Sequence, residues 1–86
     1  MESNLDFSAL QALAAEILRV KPERIQMNVS LARDLGADSL DTLEVMAAVE
    51  DRWHVRLTEQ TLGEMKNVGD LWAYLEEHSP QLQPAK

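Results

Sequence analysis

Apolar side chains recur at helical spacing along most of the chain, and the first such stripe lies near the N-terminus. The positions of this stripe are three or four residues apart, which is typical of a helix with one buried face. They are Leu10, Leu13, Ala14, Ile17 and Leu18. We predict a helix that begins between Ser3 and Asp6, with Ser3 or Asn4 as its cap. It should end near Val20, because the residue before Pro22 is pushed out of the helical conformation.

Three more helices are predicted after a long connection, which spans residues 22–37 with one turn at residues 22–25. These helices are predicted at residues 39–53, 57–65 and 67–77, with Thr58 as the cap of the second and Asn67 as the cap of the third. The core face of the last helix is predicted to consist of Val68, Leu71, Trp72 and Leu75. Helices without strands predict an all-α fold, a small four-helix bundle with a short third helix. Residues 79–86 include two prolines and little to bury, so we expect a flexible tail after a single domain of residues 1–78.

The second predicted helix carries apolar residues on two sides. At about 100° per residue, one stripe suits the core and consists of Thr42, Val45, Met46, Val49 and Trp53. Leu40, Leu43 and Ala47 fall on the opposite side, among acidic residues. Because a bundle helix buries only one face, we expect the second stripe to be exposed. Exposed leucines ringed by carboxylates favour a docking surface for a partner, and a solvated acidic face without a binding role is the alternative.

Length and charge narrow the classes of function. The 86 residues make one small domain. Because the chain has no cysteine, neither a disulfide bond nor a metal ion bound by thiolates can stabilise this domain. Fifteen acidic and eight basic residues give a net charge of −7, which argues against nucleic-acid binding and favours partners with basic surfaces. No apolar run has the length of a membrane span and no leader pattern is seen, so we expect a cytoplasmic protein without stable membrane insertion.

A lone hydroxyl lies where the long connection meets the second predicted helix. Ser39 follows Gly36, which permits a tight approach of the backbone, and it lies at a helix N-terminus, where free N–H groups favour phosphate. No histidine, cysteine or lysine lies between Asp34 and Asp51 to activate this hydroxyl, and the Gly-x-Ser-x-Gly pattern of hydrolases is absent. Ser39 is therefore predicted to be a point of attachment, with a plain helix cap as the alternative, and no catalytic residue is predicted.

No metal site is predicted. His54 and His78 have no cysteine, histidine or acid at ligand spacing, and both are expected at the surface. Asp34, Asp38 and Asp41 do not follow the calcium-loop pattern of EF-hands, because the loop glycine and the terminal glutamate are misplaced.

The run from Asp34 to Asp41 reads Asp-Leu-Gly-Ala-Asp-Ser-Leu-Asp and resembles the carrier-site motif of acyl carrier proteins. The resemblance extends from about Leu10 to Glu77, which is nearly the whole chain. It implies a non-enzymatic carrier that holds acyl intermediates as thioesters on 4′-phosphopantetheine attached to Ser39, and that presents them to fatty-acid or polyketide-type enzymes. A peptidyl or aminoacyl carrier protein, or an unmodified adaptor that binds other proteins through its acidic helix, is the alternative.

The resemblance also implies partners and their contact residues. The partners are a phosphopantetheinyl transferase of the holo-acyl-carrier-protein-synthase type and ketosynthase, acyltransferase, reductase or dehydratase enzymes with basic docking patches, which a monomeric carrier would serve. The docking positions are Asp38, Leu40, Asp41, Leu43, Glu44, Ala47, Glu50 and Asp51. The positions around the acyl chain are Val45, Met46, Val49, Leu62, Met65, Val68, Leu71 and Trp72. Trp72 is bulkier than the aliphatic residue of the family pattern, so we expect a shallow pocket for short or polar acyl groups.

Overall fold

Helices build the part of the chain that the structure describes, residues 6–82. Within these residues a computed structural model shows five α-helices, one 3₁₀ turn and no β-strand. The α-helices are α1 (Phe7–Leu18), α2 (Leu31–Leu35), α3 (Ser39–Trp53), α4 (Glu59–Glu64) and α5 (Val68–His78), and the 3₁₀ turn is Pro22–Arg24. The predicted all-α fold is confirmed.

The boundaries of α3, α4 and α5 agree with the sequence prediction to within a few residues. α3 has the predicted range, Ser39–Trp53. The Thr58 hydroxyl caps α4 by accepting the N–H of Thr61. In the same way, the Asn67 side chain caps α5 by accepting the N–H of Asp70. Short polar side chains at these positions satisfy N–H groups that a helix leaves free at its start.

α1 ends before the predicted limit of Val20. Arg19 adopts the left-handed conformation (φ 61°), which closes the helix one turn before the proline. At the other end Asp6 caps the first turn of α1. The expected caps Ser3 and Asn4 lie outside the described residues.

The long connection contains α2, which the apolar pattern does not predict. Ser30 caps this helix by accepting the N–H of Arg33 at 3.2 Å, and the Asp34 carboxylate accepts the N–H of Ser30 at 2.8 Å. Gly36 closes it in the left-handed conformation (φ 72°) and donates its N–H to the carbonyl of Leu31. With five residues, α2 is too short for a helical repeat to show in the sequence.

The core lies between α1, α3 and α5, and its centre is aromatic. Trp53 is fully buried and meets the ring of Trp72 edge-on, with 6.4 Å between ring centroids. Phe7 makes a second edge contact with Trp72 at 5.7 Å. The buried residues of this core are Leu10, Ala14, Ala15, Ile25, Val45, Met46, Val49, Trp53, Val68, Leu71, Trp72 and Leu75. The predicted core faces of α3 and α5 are confirmed, except that Thr42 is half-buried.

The chain after α5 packs against the core, whereas we expected a tail from residue 79. Ser79 is fully buried, and its hydroxyl donates a 2.6 Å hydrogen bond to the carbonyl of Trp53 at the end of α3. This bond satisfies a carbonyl that the helix end leaves free. Leu82 is half-buried against the core. The packed domain therefore extends beyond residue 78, and the rest of the expected tail, residues 83–86, lies outside the described part.

Candidate functional site

Ser39 is the first residue of α3, and its side chain is exposed. The preceding residue, Asp38, caps the helix by accepting the N–H of Asp41 at 2.8 Å. The Asp41 carboxylate accepts the N–H of Asp38 in return, at 3.3 Å. This reciprocal capping box fixes the direction in which the chain enters α3. Within residues 6–82 the Ser39 hydroxyl has no hydrogen-bond partner, and it is exposed.

The loop before Ser39 is anchored by backbone and burial. Gly36 supplies the positive φ that turns the chain after α2. The N–H of Ala37 donates to the carbonyl of Leu31 at 2.9 Å, and the Ala37 side chain is buried, with 7% of its surface exposed. An anchored alanine followed by the exposed Asp38 brings the chain outward at this point. The turn at Gly36, the buried Ala37 and the capping box of α3 together place Ser39 at the surface.

The first turn of α3 has unpaired hydrogen-bond donors. Among the described residues no acceptor contacts the N–H groups of Ser39 and Leu40, whereas the N–H of Asp41 is bound by Asp38. Free N–H groups and the positive end of the helix dipole stabilise an anion such as a phosphate. No base in the described part of the chain contacts the Ser39 hydroxyl. The start of α3 is therefore compatible with a phosphate group at this position.

α3 exposes the predicted second apolar stripe beside Ser39. Leu40 and Leu43 are 65% and 58% exposed, and Ala47 is exposed as well. Glu44 and Asp51 are exposed on the same helix, and neither forms a hydrogen bond or ion pair within residues 6–82. Free carboxylates attract a basic partner, and exposed leucines bind it by apolar contact.

Three of the predicted docking acids also have roles in the fold. Asp38 and Asp41 form the capping box of α3. Glu50 is half-buried, and its carboxylate accepts the N–H of Leu57 at 2.7 Å, which ties the α3–α4 connection to α3. The sequence does not distinguish Glu50 from Glu44, because the backbone partner of Glu50 lies in a connection without a regular pattern. The structure therefore separates the acids of α3 into structural and free ones.

A cavity of about 150 Å³ lies between α2, α3, α4 and the start of α5. Its lining residues are Ser30, Leu31, Ala32, Thr42, Met46, Leu62, Met65, Lys66, Asn67, Val68 and Leu71. Of the predicted pocket residues, the structure brings Met46, Leu62, Met65, Val68 and Leu71 to this cavity. Val45, Val49 and Trp72 do not line it and are buried in the core. The wall formed by Ser30, Leu31 and Ala32 is absent from the sequence prediction, because it depends on where the connection docks.

An open depression lies beside Ser39. Its lining residues are Ala32, Ala37, Asp38, Ser39, Thr42 and Leu43. Ala32 and Thr42 line the cavity as well, so the depression and the cavity are neighbours. A group attached to Ser39 would therefore lie close to the cavity.

The sequence matches a family model, described as a phosphopantetheine attachment site, over residues 8–75. The chain belongs to the acyl carrier protein family. It is similar to the acyl carrier protein of Phaeodactylum tricornutum, with 34% identity over 71 residues that cover 83% of this chain and 93% of that protein. The acyl carrier protein of Helicobacter pylori (strain J99) is 33% identical over 72 residues, covering 84% of this chain and 92% of the relative. The acyl carrier protein of Trieres chinensis is 33% identical over 73 residues, which cover 85% of this chain and 91% of that protein.

Acyl carrier proteins are carriers rather than catalysts, and 4′-phosphopantetheine is their covalent cofactor, so the same holds for this chain. The start of α3 fits the phosphodiester of that cofactor. The free N–H groups of Ser39 and Leu40 can face its negative charge, while the Asp38 and Asp41 carboxylates each accept a backbone N–H. The depression beside Ser39 leaves room for the arm.

The two histidines lie at helix ends: His54 caps the C-terminus of α3, and His78 is the last residue of α5. His54 and His78 are exposed as predicted, and His78 stacks on Tyr74 with 4.1 Å between ring centroids. In the described range no three histidine, cysteine or acidic side chains are grouped as metal ligands would be. Of the helices between residues 6 and 82, none has the length and apolar character that crossing a bilayer requires.

Proposed function

We propose that Ser39 carries the 4′-phosphopantetheine arm, and that the protein presents acyl thioesters to enzymes of fatty-acid or polyketide type. One observation carries the proposal: an exposed serine hydroxyl without a partner stands at the start of a 15-residue helix whose first N–H groups are free. The proposal places this serine within the family's attachment domain, residues 8–75.

The chain's own residues position the hydroxyl and stabilise the product. A phosphopantetheinyl transferase, with its own magnesium ion and base, takes the proton of the Ser39 hydroxyl as the oxygen bonds to the β-phosphate of coenzyme A; the pyrophosphate bond breaks and adenosine 3′,5′-bisphosphate leaves. The Asp38–Asp41 capping box holds Ser39 at a fixed place on the surface, and the α3 N-terminus stabilises the charge of the phosphodiester. The bound arm supplies a thiol that holds the acyl group as a thioester.

Substitution of the serine tests the assignment directly. Ser39→Ala should keep the circular dichroism of the wild type, because the hydroxyl has no partner in the described part of the fold. It should gain no mass when incubated with coenzyme A and a phosphopantetheinyl transferase, whereas the wild type gains one phosphopantetheine group. Ser8→Ala is the matched control, since Ser8 is also an exposed serine in the first turn of a helix. A phosphopantetheine group on Ser39→Ala would show that the assignment is wrong.

We further propose that the exposed face of α3 is where partner enzymes dock. The free carboxylates of Glu44 and Asp51 are suited to steer basic patches, and Leu40 and Leu43 offer apolar contact next to Ser39. The partners are the transferase and the ketosynthase, acyltransferase, reductase or dehydratase enzymes that act on the thioester. Asp38, Asp41, Ala47 and Glu50 complete the proposed surface, with the three acids also serving the fold.

The cavity supports a proposal about cargo. An apolar cavity of about 150 Å³ holds one benzene-sized molecule, which corresponds to about six carbon atoms. The cavity of this carrier has that volume, so we propose that it shelters short acyl groups and leaves longer chains largely outside. Met46 and Met65 are flexible side chains in its wall and allow limited adjustment.

A further inference from the structure

The connection between α1 and α2 is bound to the start of α5 by two backbone hydrogen bonds. The N–H of Val68 donates to the carbonyl of Val29 at 2.8 Å, and the N–H of Gly69 donates to the carbonyl of Met27 at 2.7 Å. These are first-turn N–H groups, which have no acceptor inside their own helix. The docked segment, residues 27–29, therefore acts as a strap across the beginning of α5.

Gly69 is required for this contact because of space, not because of its backbone angles. A Cβ atom at position 69 would lie 2.9 Å from the carbonyl oxygen of Met27 and 3.3 Å from Oδ1 of Asn67. The first of these neighbours is a backbone atom, which cannot rotate away as the end of a side chain can. Gly69 has no positive φ, and alanine is the better helix former, so helix stability alone would favour alanine here.

The strap continues directly into one wall of the cavity. Ser30 follows the strap, caps α2 and lines the cavity together with the first residues of that helix. The opposite wall includes Asn67 and Val68, the residues immediately before Gly69. The two hydrogen bonds therefore connect the segment that leads into one wall with the start of the helix that forms part of the other.

We propose that Gly69 is a positioning residue that sets the width of the acyl cavity, and with it the longest acyl chain that the carrier shelters. The inference rests on the proposed function, in which the cavity receives the acyl group from Ser39. Because the missing Cβ lets the strap lie directly on α5, a larger residue at position 69 moves the wall of Ser30, Leu31 and Ala32 outward and admits a longer chain.

Gly69→Ala tests the strap, and Gly63→Ala is the matched control. Gly63 lies in α4, and a Cβ added there meets nothing within 4 Å. In the unmodified carrier, amide hydrogen exchange at positions 68 and 69 should be about tenfold faster in Gly69→Ala, because one or both hydrogen bonds are lost. Gly63→Ala should leave both rates unchanged. Wild-type exchange rates in Gly69→Ala would overturn the inference.

The loaded carrier tests the role in chain length. Wild type, Gly63→Ala and Gly69→Ala are loaded with acyl groups from butanoyl to decanoyl, and the methyl chemical shifts of Met46 and Met65 are recorded. In the wild type and Gly63→Ala the shifts should grow up to about six carbons and then stop. In Gly69→Ala they should continue to grow with longer chains. The same limit in all three proteins would overturn the role of Gly69.

Two further outcomes distinguish this inference from the proposed function. If no acyl chain moves the Met46 and Met65 signals of the wild type, the cavity does not hold the acyl group. The proposal that the cavity shelters acyl groups and the proposal about Gly69 then both fail, whatever the strap does. If Gly69→Ala does not fold, hydrogen exchange in the acyl-loaded wild type tests the inference. Its amides at positions 68 and 69 should exchange equally slowly with hexanoyl and with decanoyl cargo, because the strap holds the wall in place, and faster exchange with decanoyl cargo would overturn the inference.

Discussion

At the residue scale, the acids of α3 differ in what their carboxylates contact. The Glu50 carboxylate accepts the N–H of Leu57, while the Glu44 side chain is exposed and has no partner in the described residues. A backbone N–H left without an acceptor in a partly buried place costs about 1–3 kcal/mol. Removal of an unpaired surface carboxylate changes the free energy of unfolding by at most about 0.5 kcal/mol. The same substitution therefore has different consequences at these two positions.

We expect Glu50→Ala to lower the free energy of unfolding by about 1–3 kcal/mol, because the N–H of Leu57 loses its acceptor. Glu50→Gln should retain most of the stability, since its amide oxygen can still accept this hydrogen bond. Urea denaturation of both variants provides the measurement. Glu44→Ala is the control and should lie within about 0.5 kcal/mol of the wild type. Equal stability of Glu50→Ala and Glu44→Ala would contradict a structural role for Glu50.

At the element scale, one face of α3 packs into the core, and the opposite face is proposed to bind partner enzymes. Both faces follow from the sequence, because a period of 3.6 residues places Val45 and Val49 on one side and Leu40 and Leu43 on the other. The position of Ser39 at the helix start also follows, since Gly36 marks a turn and the apolar repeat of the helix begins soon after it. The capping box of Asp38 and Asp41 is seen only in the structure. α2 does not follow, because one turn of helix leaves no period to detect.

The proposed docking face of α3 predicts a charge effect on the rate of loading. Glu44→Lys combined with Asp51→Lys should slow modification by the transferase and slow acyl transfer, because positive charge repels a basic partner surface. The defect should be largest at low ionic strength, since charges are screened beyond about 8–10 Å at ordinary salt concentrations. Helicity should remain, because both carboxylates are exposed and without partners among residues 6–82.

The control for this prediction makes the same change in charge elsewhere. Glu16 in α1 and Glu23 in the 3₁₀ turn are exposed, and their replacement by lysine alters the net charge by the same amount. This control should be loaded at nearly the wild-type rate at all salt concentrations. Equal rates for both double variants at low salt would mean that α3 is not the docking surface.

At the scale of the whole molecule, the cavity forms only where several helices and a connection pack together, and no single element determines it. Met46 and Leu71 belong to predicted helices, and the sequence places them on inward faces. The wall from α2 and the strap could not be predicted, because backbone groups of Met27 and Val29 make the decisive hydrogen bonds and carry no side-chain signature. For the same reason the sequence does not show that Trp72 lies outside the cavity lining, since only the packed fold places its ring between Phe7 and Trp53.

The separation of core and cavity leads to the last prediction, which compares Trp72→Leu with Leu62→Ala. Trp72→Leu should lower the free energy of unfolding by about 2–4 kcal/mol, because it removes buried volume and two aromatic edge contacts. It should leave the chain-length limit of the cavity unchanged, since Trp72 is not among the lining residues. Leu62 is half-buried and lines the cavity, so Leu62→Ala should raise that limit. Methyl shifts of Met46 and Met65 with hexanoyl and decanoyl cargo measure the limit, and a longer limit in Trp72→Leu would show that the tryptophan restricts the acyl chain after all.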